Sequence, residues 1–394
     1  MRLFLILLSV CVSCFFNICP YYIVTANTGT NDEIVTELNN NVVNGLNNFD
    51  FSELDKYLSE LSNLEIFGGE TSFANIVKQV AAGNYFSEYS SLFDFFVYFI
   101  FKEVKLVIPI MFMIIAIAIL SSVLNLLKSN NSSGVGSLIH FVCFAVIVII
   151  VSGLISEVVV ITKTVINNMS EQMEIVFPIM LTLLTAVGGV SSVSIYKPLV
   201  SLLTQGASII FSKILFPLFI VCFVFMVVGN LSSSIKLDKF TDLFSSLFKW
   251  VVGIVFTVFG TLLTFQGISA AGFDGISIKA TKFAVKSYVP LIGGYLSDGL
   301  DLILCSSVII KNSVGLVGLF VMLLTIVSPL IKILVLKFSM QIASAILQPI
   351  GASKISNFTS GCGKVLVYPI VLIIGISFMY LLSVGLIMVT ANIV

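Results

Sequence analysis

The sequence is short of the side chains on which most catalytic and nucleic-acid-binding sites depend. Arg2 is the only arginine and His140 the only histidine among 394 residues. A body without guanidinium groups argues against tight bidentate recognition of phosphate or nucleic acid, although AT-rich codon usage is the simpler explanation of the shortage. A single histidine leaves no partner for a metal pair. We therefore expect no metal, no cofactor and no nucleic-acid partner.

Motifs of the common enzyme classes are missing as well. The chain has neither a phosphate-binding glycine loop followed by Lys-Ser/Thr nor a Gly-x-Ser-x-Gly nucleophile elbow. Its seven cysteines show no metal-ligand or disulfide spacing. Asp298 and Asp301 lie three apart on one helix face, and Asp274 stands in Gly-Phe-Asp-Gly, so an intramembrane aspartyl protease is disfavoured. The sequence predicts a protein that is not an enzyme.

Charge is the other deficit. Only 10% of the residues are charged, 58% are hydrophobic, and the mean hydropathy is +1.12. Soluble globular chains carry roughly 25% charged residues. The composition therefore predicts an integral membrane protein, all-α and polytopic.

The few charges divide the chain. Residues 1–26 resemble a signal peptide, with a charged start, an apolar core and a small-residue cleavage site. Residues 27–103 hold twelve acids and three lysines, a net charge of −9, and are predicted to be an exported segment of amphipathic helices. Residues 104–394 carry a net charge of +8 and are predicted to be the polytopic membrane domain.

About seven spans are expected in that domain, because about 20 apolar residues cross a bilayer. The candidate spans are 105–127, 138–160, 174–194, 207–229, 250–270, 314–336 and 366–390. Residues 230–249 have the pattern of an interfacial helix, with Trp250 as its anchor, and 337–350 that of a half-span. Seven spans place six lysines on one side and seven on the other, so the positive-inside rule does not fix the topology.

One stretch, residues 265–318, departs from the apolar background. Its functional candidates are Asp274, Lys279, Lys282, Lys286, Asp298, Asp301, Lys311 and Asn312. Its candidate helix breaks are Pro290, Gly293 and Gly294. Three lysines on one helix face and two aspartates on another would neutralise each other in a helix–break–helix hairpin. The alternative is a surface helix whose lysines contact anionic headgroups.

This stretch, FQGISAAGFDGISIKATKFAVKSYVPLIGGYLSDGLDLILCSSVIIKNSVGLVG, resembles the stage III sporulation protein AE family of endospore-forming Firmicutes. Further matches are TSFANIVKQVAAGNY (71–85), PLVSLLTQGASIIFSKILFPLF (198–219) and LQPIG (347–351). A leader, a short exported segment and a polytopic body agree with that family along essentially the whole chain.

The resemblance implies a membrane subunit of a complex that connects mother cell and forespore as a channel or secretion-like conduit. It implies a requirement in engulfment-stage development and late forespore gene expression. Expected partners are the other proteins of the same sporulation operon, including a secretion-type ATPase and ring-forming proteins of the intermembrane space. The expected location is the mother-cell membrane, facing that space. A stand-alone transporter for a small solute and a scaffold without a pore are the alternatives.

Overall fold

A computed structural model of the chain describes residues 52, 55–56, 72–81, 92–126, 133–231, 237–288 and 293–390. The predicted signal peptide and most of the acidic segment lie outside these residues. The helices are α1 (Phe73–Ala81), α2 (Leu92–Leu126), α3 (Ser133–Ala186), α4 (Val190–Ile209), a π-helical segment (Ile210–Leu215), α5 (Phe216–Leu231), α6 (Asp238–Tyr288), α7 (Gly293–Leu347), α8 (Ser353–Val365) and α9 (Val367–Val389).

The described residues form helices and no strand, so the predicted all-α polytopic architecture is confirmed. Within the described ranges, six helical stretches are long and apolar enough to cross a bilayer. The predicted last span, 366–390, coincides with α9 almost residue for residue. Residues 105–126 of the first predicted span lie within α2, which starts thirteen residues earlier, at Leu92.

The second and third predicted spans, 138–160 and 174–194, do not form two spans. Residues 138–186 belong to the single helix α3, and only the end of the third span continues into α4. The predicted spans leave residues 161–173 as a loop between them, but these residues contain no glycine or proline. They bury Val165, Ile166 and Met169 at helical spacing, and this packing keeps the segment helical.

Other segments that the sequence predicts as separate also lie in one continuous helix. Helix α6 contains residues 238–249 of the predicted interfacial helix together with the fifth span, and α7 contains the sixth span together with residues 337–347 of the half-span. Pro178 and Pro329 lie inside α3 and α7 without ending them. In the part of the chain that the structure describes, six long helical stretches therefore replace the seven separate spans of the sequence prediction.

The core of the bundle is formed by α7 and α9. Helix α7 contacts α2, α3, α8 and α9, and α9 also packs along α3. Glycine allows the closest approaches, because a Cβ at Gly315 would lie 2.6 Å from Met388 Cγ and one at Gly375 would lie 2.9 Å from Phe211 Cε1. Even these two glycines in helix interiors are therefore explained by packing.

Helix α1 lies in the segment predicted to be exported, yet it joins the same core. Phe73, Ile76 and Val77 are at most 1% exposed, and α1 contacts α7. The backbone N–H of Phe73 donates a hydrogen bond to the Asp55 carboxylate, which satisfies a donor at the start of the helix. The upstream segment is thus attached to the membrane body through α1.

Candidate functional site: a buried lysine and a polar helix face

The charged stretch is divided between α6 and α7. Helix α6 ends at Tyr288, and α7 begins with Gly293 and Gly294. Pro290 lies outside the described residues, and so do the side chains of five candidates. These five are Asp274, Lys279, Lys282 and Lys286 on α6 and Asp298 on α7. The pairing of the basic stripe with the acidic pair stays a prediction.

Lys311 is fully buried in the bundle, with 0% of its surface exposed. Its Nζ donates a hydrogen bond to the backbone carbonyl of Thr390, one residue beyond the last turn of α9. The Thr390 hydroxyl and the Tyr196 hydroxyl of α4 are 2.7 Å apart. Carbonyls at a helix C-terminus have no partner within the helix, and a cation is favoured at that negative end. Lys311 therefore ties α4, α7 and α9 together.

The remaining described candidates lie on the same helix. Asn312 is buried, with 6% exposure, next to Lys311. Asp301 is half-buried and precedes Lys311 by ten residues, or about 15 Å along the helix axis. The structure thus brings Lys311 and Asn312 into one buried position but leaves Asp301 at a different level. The buried location of Lys311 indicates a packing role rather than a place along an open path.

A second polar feature lies on α3, which the sequence prediction did not single out. One exposed side of this helix is polar over about 44 Å, from Ser156 to Thr185. We call it the α3 polar face, and its polar residues are Ser156, Glu157, Lys163, Thr164, Asn167, Glu171, Glu174, Thr182 and Thr185. The opposite side of α3 is buried in the core.

Glu157 makes an ion pair at one end of this face. Its Oε1 lies 2.5 Å from Lys332 Nζ on α7, and both side chains are partly exposed. A charged residue at the centre of a bilayer costs about 2.5–3.5 kcal/mol on insertion scales, so Lys163, Glu171 and Glu174 would together cost about 8–10 kcal/mol against lipid. The α3 polar face is therefore in contact with water or with protein, and not with acyl chains.

A cleft of about 690 Å³ extends the α3 polar face toward α4. Glu174 and Thr182 line it from α3, and Lys197, Ser201 and Gln205 line it from α4. The tight turn between the two helices requires glycine, because Gly188 has φ +92°. The cleft therefore holds a carboxylate and an ammonium group between two antiparallel helices.

The chemistry available at these places is binding and solvation. In the described ranges no group of three or more His, Cys, Asp or Glu side chains has the arrangement of a metal site.

The sequence did contain a signal for the α3 polar face, because Glu157, Thr164 and Glu171 recur every seven residues. The predicted spans 138–160 and 174–194 interrupt this repeat with a loop, so the span prediction does not reveal the face.

Comparison with known proteins gives the family. The family model for Stage III sporulation protein AE matches residues 71–391, so the match begins just before α1 and covers most of the chain. The Stage III sporulation protein AE of Bacillus subtilis (strain 168) is 24% identical over 295 residues, which are 75% of this chain and 74% of that protein. No solved structure matches the chain. This multi-pass membrane protein belongs to the Stage III sporulation protein AE family.

Proposed function

We propose that the protein is a non-enzymatic membrane subunit of a complex that connects mother cell and forespore during sporulation, and that its α3 polar face borders the aqueous path of that complex. Membership of a sporulation protein family supports the process. The α3 polar face supports the role, because it is a charged and exposed surface on a long helix of a polytopic membrane protein.

The position of this face supports an assembly rather than a pore within one chain. Its side chains are exposed on the outside of the bundle, so other molecules must complete any path along it. Two copies related by an axis along the membrane normal would place Glu171 against Glu171 and Lys163 against Lys163, and like charges repel. Dry contact between identical faces is therefore disfavoured. Water, or a partner of different sequence, fits this surface better.

The partners we propose are the other products of the same sporulation operon, among them a secretion-type ATPase and ring-forming proteins between the two membranes. The acidic segment 27–103, with a net charge of −9, would meet them on the exported side of the mother-cell membrane. Attachment of α1 to α7 would hold that segment against the membrane body. The complex would act in engulfment-stage development and late forespore gene expression.

The test makes the α3 polar face apolar without changing the core. The triple variant Asn167→Leu, Glu171→Leu, Glu174→Leu is introduced into the gene of the spore-forming host. The control variant Val146→Leu, Ile149→Leu changes exposed positions on the same helix. We expect the triple variant to reach normal protein levels but to lose heat-resistant spores and late forespore gene expression. Normal sporulation of the triple variant would contradict the proposal.

The cleft between α3 and α4 favours a second candidate, a stand-alone transporter of a small solute. Glu174 and Lys197 would suit a ligand that carries both charges. Reconstitution into liposomes separates the candidates. Solute flux by the purified protein alone, abolished by Lys197→Met, would favour the transporter. Flux that requires the partner proteins would favour the conduit, and flux in neither preparation would favour a scaffold.

A further inference from the structure

The long helices are too long for a bilayer. The candidate spans Phe141–Ala186 and Asp301–Leu347 contain 46 and 47 residues, or about 70 Å of helix each. The hydrocarbon core of a bilayer is about 30 Å thick. A tilt of 40° lengthens the path only to about 39 Å. A large part of each of these helices must therefore lie outside the lipid.

Three sets of contacts define the levels of the bundle. At one end, Ser122 Oγ donates to the Ile350 carbonyl at 2.8 Å. In the middle, Glu157 pairs with Lys332. At the other end, Lys311 bonds to Thr390. We call the part from Ser122 to Glu157–Lys332 the α2 half, and the part from Glu157–Lys332 to Lys311 the α9 half.

Neither half is much longer than the hydrocarbon core of one bilayer, so a bilayer can surround one half but not both. Along α7, the α9 half corresponds to about 32 Å between Lys311 and Lys332, and the α2 half to about 22 Å between Lys332 and the end of the helix at Leu347. Trp250 is 73% exposed on α6. It lies close to the boundary between the α2 half and the α9 half, because the neighbouring Phe248 ring contacts Tyr368 at the start of α9. An exposed tryptophan beside a lysine is typical of a membrane surface.

The side chains on α2 and α3 distinguish the halves. In the α2 half these two helices present apolar side chains to the outside: Leu106, Ile108, Phe112, Met113, Ile119 and Leu120 on α2, and Phe141, Val142, Val146 and Ile149 on α3. In the α9 half, α3 presents Lys163, Glu171 and Glu174 instead. Lipid is compatible with the first set of residues and not with the second.

The apolar character of α9 and of the first part of α7 has a different explanation. More than half of the most apolar window within Asp301–Leu347, and within Ser353–Val389, is buried inside the protein, against 28% for the window in α2 and 17% for the window in α6. A helix that is apolar all round is typical of a protein core as well as of a membrane. The hydropathy of α7 and α9 therefore does not place the α9 half in lipid.

We propose that the bilayer surrounds only the α2 half, and that the α9 half projects from the membrane as a water-exposed helical body. Helix α2 begins at Leu92, on the α9 side of the bundle, within the segment 27–103 that is predicted to be exported. The projecting body therefore lies on the exported side. It carries the α3 polar face, the cleft and the Lys311–Thr390–Tyr196 contacts.

A residue on α6 can show whether lipid or water surrounds the α9 half, because the exposed side of α6 in this half is partly apolar. Val258 is 53% exposed there. Its level is given by Phe256, whose ring lies 6.1 Å from that of Phe378, next to Ser377, which contacts Met169 of α3. Lipid around the α9 half would cover Val258, even if the α3 polar face lined a water-filled lumen. The projecting arrangement instead exposes Val258 to water.

The experiment labels single cysteines with a membrane-impermeant maleimide, in right-side-out and inside-out vesicles that hold the full-length protein. Cys143 and Cys305, which are partly exposed, are first replaced by serine. We expect Val258→Cys to be labelled in one vesicle orientation, and Ile149→Cys, which is 71% exposed in the α2 half, to be labelled in neither. Labelling of Ile149→Cys, or protection of Val258→Cys when Glu171→Cys reacts, would overturn the proposal.

Lysine substitution gives a second test of the bilayer position, and its measurement does not depend on thiol reactivity. We expect Val258→Lys to accumulate in the membrane fraction at the wild-type level and Ile149→Lys to be strongly reduced. Val160→Lys, on the α3 polar face with 62% exposure, is the control, because both placements of the bilayer tolerate it. Loss of Val258→Lys while Val160→Lys accumulates would show that lipid covers the α9 half.

Discussion

Replacing Gly315 by alanine tests the packing at the centre of the bundle. A Cβ at this position would lie 2.6 Å from Met388 Cγ, 2.7 Å from Met388 Sδ and 2.9 Å from Met180 Cε. Non-bonded carbon atoms prefer about 3.5–4.0 Å. The shortfall is about 1 Å toward two neighbouring helices at once, and the crowded Cγ is near the backbone of Met388, where the side chain has little freedom to move.

The size of the effect follows from two opposing terms. Overpacking of a filled core costs about 1–3 kcal/mol, whereas alanine is favoured over glycine in a helix interior by about 0.5–1 kcal/mol. We therefore expect Gly315→Ala to lower the free energy of unfolding by about 1–2 kcal/mol. Gly299 is the matched control on α7, because a Cβ there meets nothing within 4 Å. Gly299→Ala should be neutral or slightly stabilising.

Unfolding of the purified full-length protein by SDS in mixed micelles, followed by circular dichroism, measures both variants. The two values should differ by about 1–3 kcal/mol, which is the overpacking cost alone, because the helix preference of alanine is common to both variants. If Gly315→Ala is as stable as Gly299→Ala, the close approach of α3, α7 and α9 is not the reason for glycine at this position. The explanation of the central packing would then be refuted.

Two further predictions concern polar contacts. Lys311→Met keeps the length of the side chain but removes the donor to the Thr390 carbonyl, so we expect unfolding in the same SDS assay to become easier by about 1–3 kcal/mol; unchanged stability would show that this carbonyl finds another donor. Glu157→Gln removes the charge of the ion pair with Lys332, whose members are 52% and 29% exposed, and we expect a loss below about 1 kcal/mol that shrinks further at high salt. A larger loss, or one that salt does not reduce, would mean that this pair is shielded from solvent by lipid or protein.

Several features of the fold could be predicted from the sequence because they depend on local composition. Runs of apolar residues with few charges place helices reliably, and α9 is an example. The boundaries between α3 and its neighbours could not be predicted in this way. Residues 161–173 are polar on one face and buried on the other, and only contact with the core shows that they continue a helix.

In the candidate site, too, some features could be predicted from the sequence and others depend on tertiary contacts. Lys311 and Asn312 were identified as anomalies of charge and polarity in an apolar chain, but their burial and the contact of Lys311 with Thr390 depend on a helix end 79 residues away. The α3 polar face was missed, because its residues become one surface only when the helix is continuous. Residue type identifies Lys311 and Asn312 as unusual positions, whereas helix packing determines which groups they contact.

The sequence by itself determined that this is a helical membrane protein, that its N-terminal part is acidic, and that its long central motif resembles one sporulation family. Those properties follow from transfer of side chains out of water and from residue identity. Only the tertiary structure decided which apolar helices face protein, which face is polar, and where Lys311 lies. The physical reason is that a protein interior and a lipid bilayer are similarly apolar, so hydropathy shows that a helix is out of water but not what surrounds it.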